Sequence, residues 1–574
     1  MSHLPETNKH YYRYFSLLAV VILGVVSILG TGGGDGGVST PPTITTVSPA
    51  QSSDSALLTA LVTAQFSIDM DPGSVSDPNN FTVVAADMSP VTASNISYDV
   101  ATRVVTFTPN ADLTSGEQYI ATISSAVQDT SGNNPLSSDY VWSFDIAPAQ
   151  KLVSTDGTGA VGNLGVVSTS PSGINGSGEY IVFASADDLI AGTSTGGIAQ
   201  IYRKNTVTGR VEFVSLGSSG LLADGPCANP RISDDGRFVV FSSRANNLDL
   251  SVTLPSTNVS HIYFKDMRDG SISLLDVNVN NPNQAGNGDS TQPDMSGIPI
   301  TDPQGRHVVF ESVATDLVVN DTNTMSDIFY VNAATGGIER VSVDTNDNQT
   351  NGPSNTPRVS DDGRRIVFES TATNLVAGDT NGVRDVFLRV RNATVPPTGT
   401  TTRLSVDSSN TQATGPSSNP DINADGNLAV FQSDATDLIL SDTNGVTDIF
   451  LRDINTSATS RLSEDANGTE VTGASTLPSI SSDGQYVTFE SQSAQLVTPD
   501  TNGVADIFVR DKDAANTISR LSVDNLGVQG NQASVNAAMS SDGRYVSFTT
   551  PWAFDATDSN GQADIYRAYN AALP

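Results

Sequence analysis

One cysteine in 574 residues leaves this chain without the means to form an intrachain disulfide. Cys227 falls in a stretch read as a polar loop, with no local pattern of Lys, Arg or His to lower its pKa, so a nucleophilic role is not expected. Positive charge is also scarce: 28 Lys and Arg face 62 Asp and Glu, for a net charge of -34 and a pI near 4.1. Such a surface repels phosphate backbones and anionic lipid, which excludes nucleic acid as a partner. No glycine loop followed by lysine is present to cradle a phosphate. Charged residues of both signs reach only 16%, against roughly 25% in ordinary globular chains. Ser, Thr, Asn, Asp and Gly take their place, a mixture that suits many short strands joined by polar turns.

Long apolar runs are absent except at the amino terminus, where Phe15 to Gly30 is uncharged and follows Lys9 and Arg13. Residues 1–33 read as a signal peptide or N-terminal anchor, and 34–41 as a Gly-rich linker. The segment resembles a bacterial lipoprotein signal, with Thr31 where the acylated cysteine of such signals stands. Export is the expectation, to the periplasm, outer envelope or medium, with membrane contact only through this segment and the rest monomeric.

From 42 to 147 apolar and polar residues alternate, as in Ala64-Gln65-Phe66-Ser67-Ile68 and Val141-Trp142-Ser143-Phe144, between turns rich in Gly, Pro, Asn and Asp. That spacing predicts a β-sandwich of about a hundred residues. The stretches FSIDMDPGSV, VTFTPNADLTSGEQY, DTSGN and VWSF resemble the bacterial Ig-like domain of S-layer and other envelope proteins. The resemblance implies a spacer or adhesive module.

From 151 to about 570 a glycine turn followed by a strand ending in phenylalanine recurs seven times, from Gly178 and Phe183 to Gly543 and Phe548. Each unit reads as four strands; around Gly426 these are Asp421–Asn423, Leu428–Ser433, Asp448–Arg452 and Ser460–Glu464. The third unit leaves two choices for its first strand, Pro293–Ser296 or Pro299–Asp302. A fourth-strand pattern, KLVST at Lys151, precedes the first unit, whereas none follows Arg567. An array that begins with a fourth strand and ends after a third is completed by joining its ends, so the expected fold is all-β: an Ig-like β-sandwich, then a seven-bladed β-propeller closed by an N-terminal strand. SDDGRFVVFSS, SDDGRRIVFES and SSDGQYVTFES, followed by DIFLRD and RLSVD, resemble TolB-like propeller repeats. That group includes protein-interaction modules, protease-associated domains and a few lyases.

Five units carry an acidic element between their second and third strands. It places Asp, Asn and Asp at Asp321, Asn323 and Asp327; Asp379, Asn381 and Asp385; Asp442, Asn444 and Asp448; Asp500, Asn502 and Asp506; and Asp558, Asn560 and Asp564. Oxygen ligands at alternate positions of a glycine turn suit Ca²⁺. The same residues also make Asx turns and cap strand starts, with no ion. Both readings stay open, and the first two units lack the element.

Catalytic patterns are weak. Beyond the leader the histidines are His261 and His307, read as opening a third and a second strand at opposite ends of their units, too far apart to share a metal. Gly192-Thr193-Ser194-Thr195-Gly196 spells a nucleophile elbow but lies in an inter-strand loop. The expected role is therefore non-catalytic binding of an envelope protein or glycan through the acidic loop face. The alternative is a secreted glycosidase or lyase using aspartates at the channel mouth, where Asp421 and Arg358 are candidates.

Overall fold

The computed structural model describes residues 41–570, apart from 52, 57–59, 112, 115, 133–134, 147–148, 164, 167–171, 298–305, 393–398 and 514–516. The leader, most of the Gly-rich linker and the Pro299–Asp302 alternative lie outside the described residues.

Two four-stranded sheets form the first module. One orders Ile44–Ser48, Val62–Phe66, Val104–Pro109 and Ala93–Asp99; the other orders Ser53–Ala56, Tyr140–Ile146, Gln118–Ile123 and Phe81–Ala85. Val62, Ala64 and Phe66 face inward while Thr63 and Gln65 are less buried, as the period-two alternation requires. Phe66, Phe81, Phe107, Trp142 and Phe144 fill the core, where Phe81 lies 5.5 Å from Phe107 and 6.0 Å from Trp142 between ring centroids.

Seven four-stranded antiparallel sheets follow, each ordered first to fourth strand as the repeat predicts. Innermost strands touch in sequence, and the first blade's inner strand also touches that of the seventh. The last sheet consists of Val535–Met539, Tyr545–Thr550 and Asp564–Tyr569, completed by Gln150–Leu152. Leu152 sits opposite Tyr566 in antiparallel register, so the N-terminal strand is the fourth strand of the seventh blade.

In the blade around Gly426 the second strand is Leu428–Ser433, as predicted, and the third, Asp448–Asp453, is one residue longer. The first strand is Ser417–Ile422, longer and earlier than predicted. Pro420 conceals it: a proline cannot donate to a ladder, and the strand accommodates it with a bulge at Asn419, whose φ is 50°. The fourth strand is Ala458–Arg461, earlier than predicted, because Ser463 leaves the ladder and uses its side chain on the neighbouring strand. In the third blade the first strand is Ser290–Met295, nearer the Pro293–Ser296 choice.

Each repeating phenylalanine stacks on the aromatic ring directly opposite in the third strand. The pairs run from Phe183 with Tyr202 at 5.9 Å to Phe548 with Tyr566 at 6.2 Å. The glycine of the tight turn does more than supply a positive φ. A Cβ on Gly178 would lie 2.3 Å from the Tyr545 ring, and one on Gly363 would lie 2.3 Å from His307. In both cases the obstructing side chain opens the second strand of the preceding blade, so the turn lies flat on its neighbour. His307 is thus a packing residue, and its Nδ1 lies 2.6 Å from Tyr330 Oη.

The Gly178–Tyr545 contact joins the first blade to the last. Gly178→Ala forces both a left-handed φ and this overlap, and is expected to cost about 2 kcal/mol or more. Urea unfolding followed by tryptophan and far-UV signals measures it.

Candidate functional site

The last aspartates of the five acidic elements, Asp327, Asp385, Asp448, Asp506 and Asp564, open third strands and are almost fully buried. Their Oδ1 atoms accept from Ser342, Ser405, Ser463, Ser522 and Ser154, each two residues past the end of its fourth strand, at 2.5–2.6 Å. Each serine Oγ in turn accepts the amide N–H of the residue after the aspartate, at 2.9–3.2 Å. Asn323, Asn381, Asn444, Asn502 and Asn560 donate from Nδ2 to the second carboxylate oxygen at 2.8–3.2 Å.

The first two blades build the same device from other residues. In the first, Ser215 Oγ donates to Gln200 Oε1 at 2.8 Å and accepts the Ile201 amide at 3.0 Å. In the second, His261 Nδ1 lies 2.8 Å from Asp276 Oδ2, and the Ile262 amide donates to Asp276 Oδ1 at 2.9 Å. His261 therefore stands where other blades have aspartate. It lies at the end of its blade opposite the end occupied by His307 in the next blade, as expected.

An arginine two residues before this serine lies against both aspartates in the third to sixth blades. Arg340 lies 3.4 Å from Asp321 and 3.8 Å from Asp327. Arg403 is 3.3 and 3.4 Å from Asp379 and Asp385, Arg461 is 3.8 and 3.6 Å from Asp442 and Asp448, and Arg520 is 3.5 and 3.8 Å from Asp500 and Asp506. A guanidinium thus lies beside both carboxylates that the spacing offers to an ion. Asp442, Asp448 and Glu470 do bring three carboxylate oxygens within 4.8 Å of one another, the grouping a divalent cation needs, but Arg461 Nη1 is also 2.7 Å from Glu470. Burial, then the Asp448 charge, pushes Asp442 up to about 6.

In the seventh blade Leu152 stands at the arginine's position, two before Ser154. Tyr566 Oη donates to Asp558 Oδ2 at 2.7 Å, and burial, with the Asp558 and Asp187 charges adding to it, pushes Asp564 up to about 6. Arg461→Ala leaves four carboxylates of the fifth blade, Asp442, Asp448, Glu464 and Glu470, without their counter-charge, with an expected cost of about 3–5 kcal/mol. Its melting temperature should rise on adding calcium more than that of the parent, as differential scanning calorimetry would show.

The second feature is the axial channel, a cavity of about 340 Å³ lined by the inner strands. At one end the turn residues form a chain of backbone bonds: the Asp361 amide donates to Ala424 O, Ala424 to Ser482 O, and Ser482 to Ser541 O at 3.0–3.1 Å. At the other end, on the side of the acidic loops, lie bulge residues with positive φ: Gln292, Thr356, Asn419, Leu477 and Asn536. Second-strand side chains of the preceding blades cap four of their amides. Glu311 takes the Thr356 N–H at 3.2 Å, Glu369 that of Asn419 at 2.8 Å, Gln432 that of Leu477 at 2.9 Å and Glu490 that of Asn536 at 2.5 Å.

Between these ends Arg231, Asp294, Arg358 and Asp421 alternate in charge over four consecutive blades, and Ser479, Ala538 and Gly173 complete the level. Asp421, a sequence candidate, spends its oxygens on the Ile422 and Ile480 amides, both at 3.0 Å. Burial, then the Asp234 charge, pushes Asp361 up to about 7 at the turn end. Cys227 corrects the sequence reading: it opens an inner strand, buried, and its thiol lies 3.2 Å from Ser243 Oγ. Serines occupy its position in later blades, as in Ser417 with Ser433 at 2.9 Å. Burial pushes the thiol up to about 12.

Glu490 is raised by burial from 4.5 to about 7. The folded chain then holds a proton there that the unfolded chain releases above 4.5, so this group's contribution to stability falls as pH rises through that window. Glu490→Gln keeps the cap, as Gln432 does naturally, and is expected to flatten the decline in stability between pH 5 and 8. Glu490→Ala exposes the loss of the cap, about 1–3 kcal/mol, in the same denaturation series.

No curated protein matches the sequence. Among solved structures it resembles several at low identity. TolB from Acinetobacter baumannii shares 14% identity, covering 77% of this chain and 79% of that one, with a TM-score of 0.34. Oligogalacturonate lyase from Vibrio parahaemolyticus shares 13%, covering 72% and 91%, at 0.42. The β-propeller domain of the Trilobed protease from Pyrococcus furiosus shares 10%, covering 85% and 98%, at 0.36. No helix among the described residues is long and apolar enough to cross a membrane. Residues 38–146 match the bacterial Ig-like domain model, and with the two packed sheets over the same stretch the chain carries a domain of that family.

Proposed function

We propose that this is an exported, envelope-associated binding protein, in which residues 1–33 direct export or anchor the chain and the Ig-like module acts as a spacer. The propeller engages an envelope protein or glycan, without catalysis, on the face of the acidic loops. The observation that carries this reading is where polar groups remain unspent. In the third to sixth blades the loop carboxylates are consumed by serines, asparagines and arginines of their own blades, while the channel keeps charged side chains lining an open cavity. Recognition on that face therefore centres on the channel mouth. Retention of purified envelope polysaccharides on the immobilised full chain, reduced in Arg358→Gln and without new reducing or unsaturated ends, is the expected result; retention indifferent to that change removes the channel from the reading.

One observation favours the enzymatic alternative, a secreted glycosidase or lyase. Asp361, raised to about 7 beside Asp234, has the properties of a general acid near neutral pH. Product release abolished by Asp361→Asn would establish that alternative.

Calcium belongs to this proposal at the seventh blade, where Asp558, Asn560 and Asp564 lack the arginine of the other four loops. Chelator should lower the unfolding temperature of the parent, and Asp558→Asn should blunt the response. A parent indifferent to chelator removes the ion.

A further inference from the structure

Arg231 and Arg358, both half-buried, differ from fully buried arginines of the propeller in what they touch. Arg389, Arg452 and Arg510 are spent on carbonyls of inter-blade turns, at Asp344, Asp407 and Glu464. Arg231 makes one hydrogen bond, from Nη1 to Pro230 O at 3.2 Å, and Arg358 makes one, to Pro357 O at 2.8 Å. Their carboxylate neighbours are too far for hydrogen bonds: Arg231 is 3.6 Å from Asp294, and Arg358 is 3.9 Å from Asp421. Both guanidiniums line the cavity with about a fifth of their side-chain surface open.

The two aspartates are fixed independently of the arginines. Asp294 Oδ2 accepts the Val359 amide at 3.1 Å, and Asp421 is held by its two amides. The arc therefore presents positive, negative, positive and negative groups in fixed order, each balanced by charge but with donors and lone pairs left over. Across the channel Gly173, Ser479 and Ala538 are small, which leaves room beside the arc. A simple anion would meet Asp294 and Asp421, together with Asp234 and Asp361 at the turn end; a simple cation would meet both guanidiniums. A molecule carrying both signs close together satisfies neighbouring members of the arc at once.

We propose that the channel binds a small zwitterion, a carboxylate beside an ammonium group as in a free α-amino acid, against Arg231, Asp294, Arg358 and Asp421. The carboxylate takes the guanidinium forks, and the ammonium donates to the intervening aspartate. The cavity of about 340 Å³ is at the small end of ligand sites, roughly 300–1,000 Å³, and admits such a molecule. This rests on the reading of the channel as the recognition site.

The test uses the full chain and three small probes: alanine, N-acetylalanine and alaninamide. Arginine side-chain NMR signals, with calorimetry, follow binding. Alanine is expected to shift the Arg231 and Arg358 signals, and each blocked analogue to bind roughly tenfold or more weakly. Arg231→Gln and Asp294→Asn should each weaken alanine by a similar factor, whereas the exposed Arg364→Gln should not. Equal binding of N-acetylalanine, equal binding of alaninamide, or no shift with any probe overturns the zwitterion; the three probes on the unsubstituted chain decide this even if a variant misfolds. If those probes fail while polysaccharide retention still depends on Arg358, the ligand class is wrong and the channel reading stands.

Discussion

The fold depends on a buried polar junction at the head of every third strand. A polar side chain there meets a partner just past the fourth strand, which also binds the next backbone amide. Such groups are costly to bury singly and inexpensive when all are paired, so the junction fixes where the fourth strand must pass. Substitutions are tolerated when they preserve the pairing. Gln200 with Ser215, and His261 with Asp276, solve the same problem with different atoms. The histidine is therefore intelligible as a structural isostere, although its sequence context carries no sign of that.

Much of the architecture was legible because it repeats. Gly178 to Gly543 announced the blades, and the stray KLVST announced the closing strand. The acidic elements were legible as a pattern and ambiguous as chemistry, since Asp-x-Asn spacing serves both an ion and a buried turn. A second pattern accompanies it: an arginine two residues before the serine goes with the acidic element in four blades, while Phe213 and Leu274 stand in its place in the two blades that lack the element. The arginine neutralises carboxylates that are present and is dispensable where they are absent. Only the seventh blade keeps the acids without it.

The channel was less legible. Its lining comes from short inner strands containing proline and a bulge, and a bulge breaks the alternation by which inward and outward residues are told apart. Arg358 and Asp421 could be singled out as near the mouth. Their membership of an alternating arc with Arg231 and Asp294 depends on the neighbouring blades lying side by side. Cys227 is hidden for a related reason: the Asp, Gly, Asn and Pro around it signal a loop, yet it stands at the inner-strand position that serines hold in later blades.

Closure by Gln150–Leu152 sets an order of events in time. Ser154 and its partner Asp564 are separated by 410 positions, the longest reach of any such junction in the ring. On a ribosome the strand that finishes the last blade is made before any blade exists, and it must wait unpaired until the third strand of the seventh blade has been synthesised. Loop-closure entropy makes that final pairing the slow one. Until it forms, the third strand of the seventh blade has an exposed edge, able to accept a strand from another copy. The bond that makes the ring continuous is thus also the point at which two unfinished chains would most readily exchange strands.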